Sequence, residues 1–294
     1  MKKKKSIQDF YTMKEKGEPI TFITSYDYPT ATFAEKAGMD MILVGDSLGM
    51  CVYGYEGTMP VTMGQMIVHS EAVRRGAPNT FVIGDMPFLS YQTNDEGAVE
   101  NAGRFFKEAK MDGVKLEGGV RVASRIRAIV DAGMLVMGHI GLTPQSSSQL
   151  GGFKAQGRTL DSAKAQVEDA LAVQEGGAAM ILLEAIPPEV SGYIRDLLSI
   201  PVLSIGAGPS CDGQLLIVSD MLGVFEAFTP KFVKRYAEVA KISTEALAAY
   251  VQDVRNKAFP EPKHIYPMIP EELTKFKEWA AAQKASKAKA KKGG

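Results

Sequence analysis

A repeated pattern constrains the fold of this chain more than any other feature: a short apolar run, often closed by glycine, ends at one polar residue. It stands at Met41-Ile-Leu-Val-Gly-Asp46, Phe81-Val-Ile-Gly-Asp85, Val114-Lys-Leu-Glu117, Leu135-Val-Met-Gly-His139, Met180-Ile-Leu-Leu-Glu184 and, as a variant, Val202-Leu-Ser-Ile-Gly206. Each run is short and bounded by turn-forming residues, which is typical of a strand buried on both faces. A stretch of helical pattern follows each run, so the sequence predicts parallel βα units.

Eight such strands can be placed along the 294 residues of the chain. They are predicted at residues 20–27, 41–46, 80–85, 114–117, 135–139, 180–184, 201–205 and 214–218. The fold class is therefore α/β, and the layout favours a (βα)8 TIM barrel, which takes about 250 residues as one domain. The alternative, a doubly wound open sheet, would need a G-x-G-x-x-G turn after the first strand, and none follows it.

We expect one catalytic barrel domain over residues 1–260 and a C-terminal extension over residues 261–294. The end of this extension is rich in lysine and alanine and has no apolar face, so it is expected to be partly disordered. The basic N-terminal residues 1–6 are interpreted as a solvated tail. A long amphipathic helix is predicted over residues 232–254.

The overall charge excludes several classes of partner. Lysine and arginine number 34, as do aspartate and glutamate, so the net formal charge is zero. This balance indicates neither nucleic acid nor an anionic membrane surface as a partner. No apolar run approaches the ~18 residues of a membrane-spanning helix. The two cysteines, Cys51 and Cys211, have no metal or redox spacing, which fits a cytoplasmic location.

Three acidic residues, Asp46, Asp85 and Glu117, end three consecutive predicted strands. In a closed parallel barrel these ends converge on the face where catalysis takes place. Crowded like charges repel and are costly to desolvate, and a divalent cation removes that cost. Oxygen ligands select a hard ion, most simply Mg²⁺, which leaves positions for water or a chelating substrate. The alternative is that these acids cap the following helices.

Lys115 and His139 are predicted at the same barrel mouth. Lys115 lies two residues before Glu117, so both side chains face the same side of the strand. Such a lysine needs an anionic partner, either the nearby acids or a substrate carboxylate. His139 ends the fifth strand and is either structural or part of the site, whereas His69 and His264 are interpreted as structural or surface residues.

Glu184 follows a strongly apolar run, and apolar surroundings favour a carboxylate that accepts a proton near neutral pH. The alternative is a carboxylate bonded to a backbone amide. Ser47 is placed to donate to a bound carboxylate or to cap the next turn. The Gly206-Ala-Gly208 turn is similar to the phosphate-accepting turn of some barrels, although glycines also simply form turns.

Six segments, in this order, resemble the ketopantoate hydroxymethyltransferase family. They are Val44-Gly-Asp-Ser-Leu-Gly-Met50, Pro60-Val-Thr62, Ala72-Val-Arg-Arg-Gly-Ala-Pro78, Val114-Lys-Leu-Glu-Gly-Gly119, Gly138-His-Ile-Gly-Leu-Thr-Pro-Gln-Ser146 and Ile205-Gly-Ala-Gly208. The resemblance covers about residues 20–254. It implies a barrel of the phosphoenolpyruvate mutase and isocitrate lyase type, and a hydroxymethyltransferase of pantothenate and coenzyme A biosynthesis that yields 2-dehydropantoate through a Mg²⁺-stabilised enolate.

The resemblance also implies a role for each named position. One Mg²⁺ per subunit would be held by Asp46, Asp85 and Glu117. The substrate 3-methyl-2-oxobutanoate would be bound by Asp46, Ser47, Asp85, Lys115 and His139, and Glu184 would be the proton acceptor. The one-carbon donor would be 5,10-methylenetetrahydrofolate, and the family commonly assembles as a homodecamer.

Two other functions compete with this hypothesis. A Mg²⁺-dependent lyase or mutase on the same barrel would carry a nucleophilic cysteine loop, and neither Cys51 nor Cys211 lies in one. A keto-acid sensor or scaffold without activity is disfavoured because all the named acids and the lysine are present. The segments around Tyr53 and residues 88–91 are predicted to cover the pterin.

Overall fold

Runs of four to six mostly buried residues form the strands of a closed parallel barrel. Within residues 3–290, which the computed structural model describes, eight strands follow one another around the barrel in chain order, and the last pairs with the first. They are β1 (Ile20–Thr24), β2 (Met41–Val44), β3 (Phe81–Asp85), β4 (Gly113–Glu117), β5 (Val136–Gly141), β6 (Met180–Glu184), β7 (Val202–Ile205) and β8 (Gly213–Leu216). The predicted (βα)8 barrel is confirmed.

Helices lie between most successive strands of the chain, and further helices precede the first strand and follow the last. They are α1 (Ile7–Lys16), α2 (Tyr28–Ala37), α3 (Leu48–Cys51), α4 (Met63–Gly76), α5 (Asp95–Lys107), α6 (Ala123–Asp131), α7 (Ser147–Leu150), α8 (Leu160–Glu175), α9 (Pro188–Leu197), α10 (Val218–Met221), α11 (Val239–Arg255) and α12 (Pro270–Ala290). No helix within the described residues combines the length and the apolar character that crossing a bilayer requires.

Alternation along each strand separates two apolar layers. Alternate strand residues such as Phe81 and Ile83 belong to a cluster inside the barrel. The residues between them, such as Val82, belong to the layer beneath the helices. Because side chains alternate with a period of two, the next inward position on β3 is Asp85. The same alternation on β6 makes Glu184 an inward residue, so polar groups lie at the carboxyl end of an apolar interior.

The glycine of the repeated pattern has a packing role. A Cβ atom on Gly84 would collide with the ring of Phe105 on α5, and one on Gly138 would collide with Val173 on α8. Glycine therefore lets these helices approach the sheet closely, just before each strand ends at its polar residue.

The N-terminal region is more ordered than the sequence predicted. The Ser6 backbone N–H donates to Asp9 (2.6 Å), which caps the start of α1. Phe10 of α1 is fully buried and packs edge-on against Phe81 (ring centroids 5.1 Å apart), at the start of β3. Lys4 forms an ion pair with Asp112. Within the described part of the predicted solvated tail, residues 3–6, Lys3 and Ser6 are exposed, whereas Lys4 is held by its ion pair with Asp112.

The chain divides into two compact units, one ending at Val239 and one beginning at Ala240. The second contains most of α11 and all of α12, and α12 lies where partial disorder was expected. Its sequence is rich in alanine, lysine and glutamate, which have high helix propensity. Residues 291–294 of the predicted tail lie outside the described residues. The extent of the catalytic domain, expected to be residues 1–260, stays a prediction.

The predicted helix over residues 232–254 begins later, at Val239. The preceding segment instead bonds to α10 and the residue after it, since the N–H of Tyr236 donates to the Met221 carbonyl (2.8 Å) and that of Val239 to the Leu222 carbonyl (3.0 Å). Phe232 packs against Gly206, which has a φ of +69° and no room for a Cβ atom. These tertiary contacts outweigh the local helical pattern.

Candidate active site

The carboxyl ends of the strands bring the predicted residues into one cavity of about 530 Å³. Its lining includes Asp46, Ser47, Asp85, Lys115, Glu117, His139 and Glu184. This volume lies within the range of about 300–1,000 Å³ found for small-molecule pockets. The sequence therefore named residues that are neighbours in space, although they are separated by up to 138 positions in the chain (184 − 46).

Two backbone features place the acids. Asp85 and Glu117 are the last residues of β3 and β4, and both point inward. Asp46 lies in the turn after β2, where its backbone N–H donates to Asp85 Oδ2 (3.0 Å). Asp46 and Asp85 thus belong to one hydrogen-bonded unit rather than to separate helix caps.

Lys115 is the cation among these acids. Its Nζ atom lies 2.9 Å from Asp85 Oδ1 and 3.8 Å from Glu117 Oε1. Burial raises the pKa of Asp46, Asp85 and Glu117, and Lys115 opposes that rise. Burial alone would lower the pKa of Lys115, but the three carboxylates outweigh it and raise the pKa. Lys115 is therefore charged at neutral pH.

His139 lies between Lys115 and Glu184. Burial and the charge of Lys115 lower the pKa of His139, so the ring is neutral at pH 7. Its Nδ1 atom lies 3.2 Å from Lys115 Nζ and accepts from the ammonium, which leaves the ring proton on Nε2. Nε2 lies 3.1 Å from Glu184 Oε2, although it makes no hydrogen bond of regular geometry.

Glu184 differs from the other acids. Its side chain is 15% exposed, against 1–2% for Asp85 and Glu117. The apolar surroundings that the sequence predicted are incomplete, because His139 faces the carboxylate. Glu184 is consequently more open to an incoming molecule than Asp85 or Glu117.

Gln145 is a site residue that sequence reasoning missed. Its Nε2 donates to Asp46 Oδ2 (2.9 Å) and to the Met86 carbonyl (3.0 Å), and its backbone N–H donates to Glu117 Oε2 (3.0 Å). Its Oε1 accepts from Tyr91 Oη (2.8 Å). Gln145 lies within the Gly138–Ser146 segment that carried the family resemblance, and this was the available signal.

Tyr26 was also missed. Its hydroxyl lies 2.8 Å from Ser47 Oγ and accepts from Thr24 Oγ1 (3.1 Å). Ser47 caps no backbone N–H of α3, so its hydroxyl is oriented by Tyr26 within the cavity. The open alternative of a helix cap is therefore not what the structure shows.

Of the segments predicted to cover the pterin, the one around Tyr53 contributes Met50, Cys51, Glu56 and Thr58 to the cavity lining, whereas residues 88–91 do not line it. Tyr53 bonds His69 (2.9 Å) and stacks on Tyr55, and Tyr91 is buried against Gln145. The cavity wall is formed by Phe153, Phe225, Phe228, Pro230 and Phe232. The role of these two segments in covering the pterin stays a prediction.

The Gly206–Ala207–Gly208 turn is filled by the protein itself. Phe232 packs on Gly206 and Pro188 packs on Gly208, and the Ala207 N–H donates to Ser204 Oγ (3.0 Å). Of the two interpretations that the sequence left open, the structure supports a packed turn rather than a phosphate cradle.

The donor set fits a hard dication. Three buried carboxylates, those of Asp46, Asp85 and Glu117, face one lysine, which leaves an excess of negative charge when all are ionised. Asp85 Oδ1 and Glu117 Oε1 are buried and accept no hydrogen bond of regular geometry. In the described part of the chain, however, no group of three or more His, Cys, Asp or Glu side chains is arranged to hold a metal unaided. Mg²⁺ commonly takes only one or two protein carboxylates, so this arrangement remains compatible with it.

Comparisons with known proteins agree with one another. A family model described as ketopantoate hydroxymethyltransferase matches residues 4–262. A protein named 3-methyl-2-oxobutanoate hydroxymethyltransferase from Alkaliphilus metalliredigens (strain QYMF) is 64% identical over 269 residues, covering 92% of this chain and 95% of that protein. One of the same name from Heliobacterium modesticaldum (strain ATCC 51547 / Ice1) is 49% identical over 268 residues, covering 91% and 97%.

The fold is also found among solved structures. A crystal structure of 2,3-dimethylmalate lyase, a PEP mutase/isocitrate lyase superfamily member, has a TM-score of 0.53 and 19% sequence identity. The match covers 97% of this chain and 98% of that one. At this identity the similarity concerns the barrel architecture alone.

Proposed function

This chain belongs to the ketopantoate hydroxymethyltransferase family, and we propose that it moves a one-carbon unit from 5,10-methylenetetrahydrofolate to 3-methyl-2-oxobutanoate with the help of Mg²⁺. Family membership supports an enzyme that transfers a hydroxymethyl group to a keto acid in pantothenate biosynthesis. The observation that carries the finer proposal is the cluster of three buried acids around Lys115, in one cavity with the more exposed Glu184.

We assign Mg²⁺ to Asp46 and Asp85, with Glu117 beside them, since the single positive charge of Lys115 does not balance three carboxylates. When bound, the ion would supply Lewis acidity that makes the C–H next to a keto group easier to ionise. Gln145 holds Asp46 through its Nε2 atom (2.9 Å), so the carboxylate is oriented before any ligand arrives.

The chain's own residues supply binding and proton transfer. Lys115 is charged and offers its ammonium to the carboxylate of the keto acid, while Ser47 offers a hydroxyl oriented by Tyr26. Glu184 removes the proton from C3 of the substrate. That carbon then bonds to the methylene carbon of the donor as the two C–N bonds of this carbon break. Water supplies the hydroxyl group, and the C3 proton and the second proton of water end on the folate nitrogens, so the products are 2-dehydropantoate and tetrahydrofolate. Neutral His139 places its Nε2 atom 3.1 Å from Glu184 Oε2 and adds no positive charge.

Deuterium exchange tests this function. The protein is incubated with 3-methyl-2-oxobutanoate in D₂O, with and without Mg²⁺, and the C3–H signal is followed by NMR. Loss of that signal with Mg²⁺, and formation of 2-dehydropantoate after addition of methylenetetrahydrofolate, are the expected results. Absence of both exchange and product under every metal condition would overturn the proposal, while cleavage of a different 2-oxo acid would favour a lyase.

Assembly as a homodecamer and a cytoplasmic location, both implied by the family, stay predictions. Sedimentation velocity of the full chain tests the first, with a ten-subunit species as the expected result.

A further inference from the structure

We propose that Asp220 binds the pyrimidine edge of the pterin ring of the one-carbon donor, in a part of the cavity walled by phenylalanine side chains. This inference rests on the proposed use of methylenetetrahydrofolate. It gives the donor a site of its own and gives a role to a carboxylate that the proposed reaction does not use.

The cavity has two chemically different parts. The acids, Lys115 and His139 form the polar part, which is sufficient for a small keto acid. The remaining wall includes the rings of Phe153, Phe225, Phe228 and Phe232. Two of these stay accessible, since Phe153 is 56% and Phe228 51% exposed. Aromatic side chains at a cavity mouth are suited to stacking on a flat ring.

Asp220 lies in α10, directly after β8, and lines the same cavity. It is only 5% exposed, yet within the described residues its carboxylate has neither a hydrogen bond nor an ion pair. A buried carboxylate without partners is costly. Burial accordingly raises the pKa of Asp220 to about 6, and Arg235 opposes the rise only from a distance.

Arg235 is not available as a close partner. Its Nη2 atom donates to Thr229 Oγ1 (2.8 Å), and its Nη1 atom lies 3.6 Å from Glu238. The carboxylate of Asp220 therefore keeps both oxygens for a ligand with N–H groups, and at neutral pH it is ionised.

Hydrogen bonds place the start of α10, which carries Asp220, on the side of Ser47. The Val218 N–H donates to Thr24 Oγ1 (3.0 Å), which donates to the Tyr26 hydroxyl (3.1 Å). Tyr26 in turn bonds Ser47 (2.8 Å), which belongs to the proposed keto-acid site. A ring held at Asp220 thus lies beside the polar part, as transfer of one carbon between two ligands requires.

The chemistry of the ligand matches this carboxylate. A 2-amino-4-oxopyrimidine ring presents two adjacent N–H donors on one edge, and an ionised carboxylate accepts such a pair with both oxygens. Charge-assisted bidentate bonds of this kind are stronger than neutral ones.

The test compares Asp220→Asn with a matched variant, Asp161→Asn, which changes an exposed acid at the start of α8. Asp220→Asn is expected to raise the KM for methylenetetrahydrofolate by about 10- to 100-fold, the range for loss of a bond to a charged group. Its effect on deuterium exchange of the keto acid should be at least tenfold smaller. Asp161→Asn should match the unchanged protein in both assays.

Binding to the unchanged protein gives a second measurement, independent of how the variant folds. Titration calorimetry compares tetrahydropterin with an analogue lacking the 2-amino group, which should bind at least tenfold more weakly. Equal affinity for both, or an unaltered KM in Asp220→Asn, would overturn this inference alone. Absence of folate-dependent product with the unchanged protein would instead overturn the proposed function.

Discussion

His139 Nε2 lies 3.1 Å from Glu184 Oε2 at the carboxyl ends of two adjacent strands, β5 and β6. The register explains this proximity. His139 pairs with Leu182, and Glu184 lies two residues further along β6, so its side chain faces the same side of the sheet. The histidine is neutral, since burial and Lys115 lower its pKa. It therefore lies beside Glu184 without pairing its charge.

Replacing Glu184 with glutamine should slow deuterium exchange at C3 of the keto acid by about 10²- to 10⁴-fold, because general base catalysis contributes that much. The initial rate of loss of the C3–H NMR signal measures this. Glu189→Gln, which changes an exposed acid on α9, is the matched control and should exchange normally. A normal rate in Glu184→Gln would mean that another group takes the proton.

Replacing Lys115 with methionine should cost about 3–5 kcal/mol of stability at pH 7, because buried carboxylates would lose their one close cation. Urea unfolding measures the change, and Lys107→Met, at an exposed position on α5, serves as control. The loss should shrink as the pH falls, because burial raises the pKa of Asp46, Asp85 and Glu117 and each proton taken up removes a charge that Lys115 offsets. A loss under 1 kcal/mol at pH 7 would contradict the proposed charge balance.

Replacing Gln145 with leucine removes the donor to Asp46 and to the Met86 carbonyl, while Tyr91 keeps its bonds to the Glu117 backbone. Loss of a group that orients a metal ligand typically costs about 10- to 100-fold in metal affinity or activity. The concentration of Mg²⁺ that gives half-maximal deuterium exchange should rise accordingly. Gln149→Leu, which loses only an exposed bond to Arg121, should leave it unchanged, and an unaltered requirement in Gln145→Leu would refute this role.

Because of Asp220, the free energy of unfolding of the protein should fall as the pH rises from 5 to 7.5. Burial raises the folded-state pKa of Asp220 from 3.8 to about 6, so the folded state binds the additional proton between these values. Its stabilising contribution is complete below pH 3.8 and is lost as the pH rises through 6. The Tm of Asp220→Asn, relative to that of the unchanged protein, should therefore increase from pH 5 to pH 7.5 in thermal unfolding. A Tm difference independent of pH would show that burial does not raise the pKa of Asp220.

Strand positions were predictable because the signal is local. A strand buried on both faces must be apolar for four to six residues, and its end is marked by a polar residue, as at Glu117 and Glu184. The helix over Val239–Arg255 was predicted seven residues too early (239 − 232), because the helical pattern continues through residues 232–238. There Phe232 packs on Gly206 instead, a contact between segments far apart in the chain.

The sequence by itself determined the barrel and the set of acids, lysine and histidine at its mouth, because strand period and strand ends are properties of neighbouring residues. Only the tertiary structure decided the partners: the neutral state of His139, the bond from Gln145 to Asp46, the aromatic wall formed by residues 225–232, and an Asp220 carboxylate with no partner among the described residues. Each of these depends on distance and burial between segments that the chain alone does not bring together.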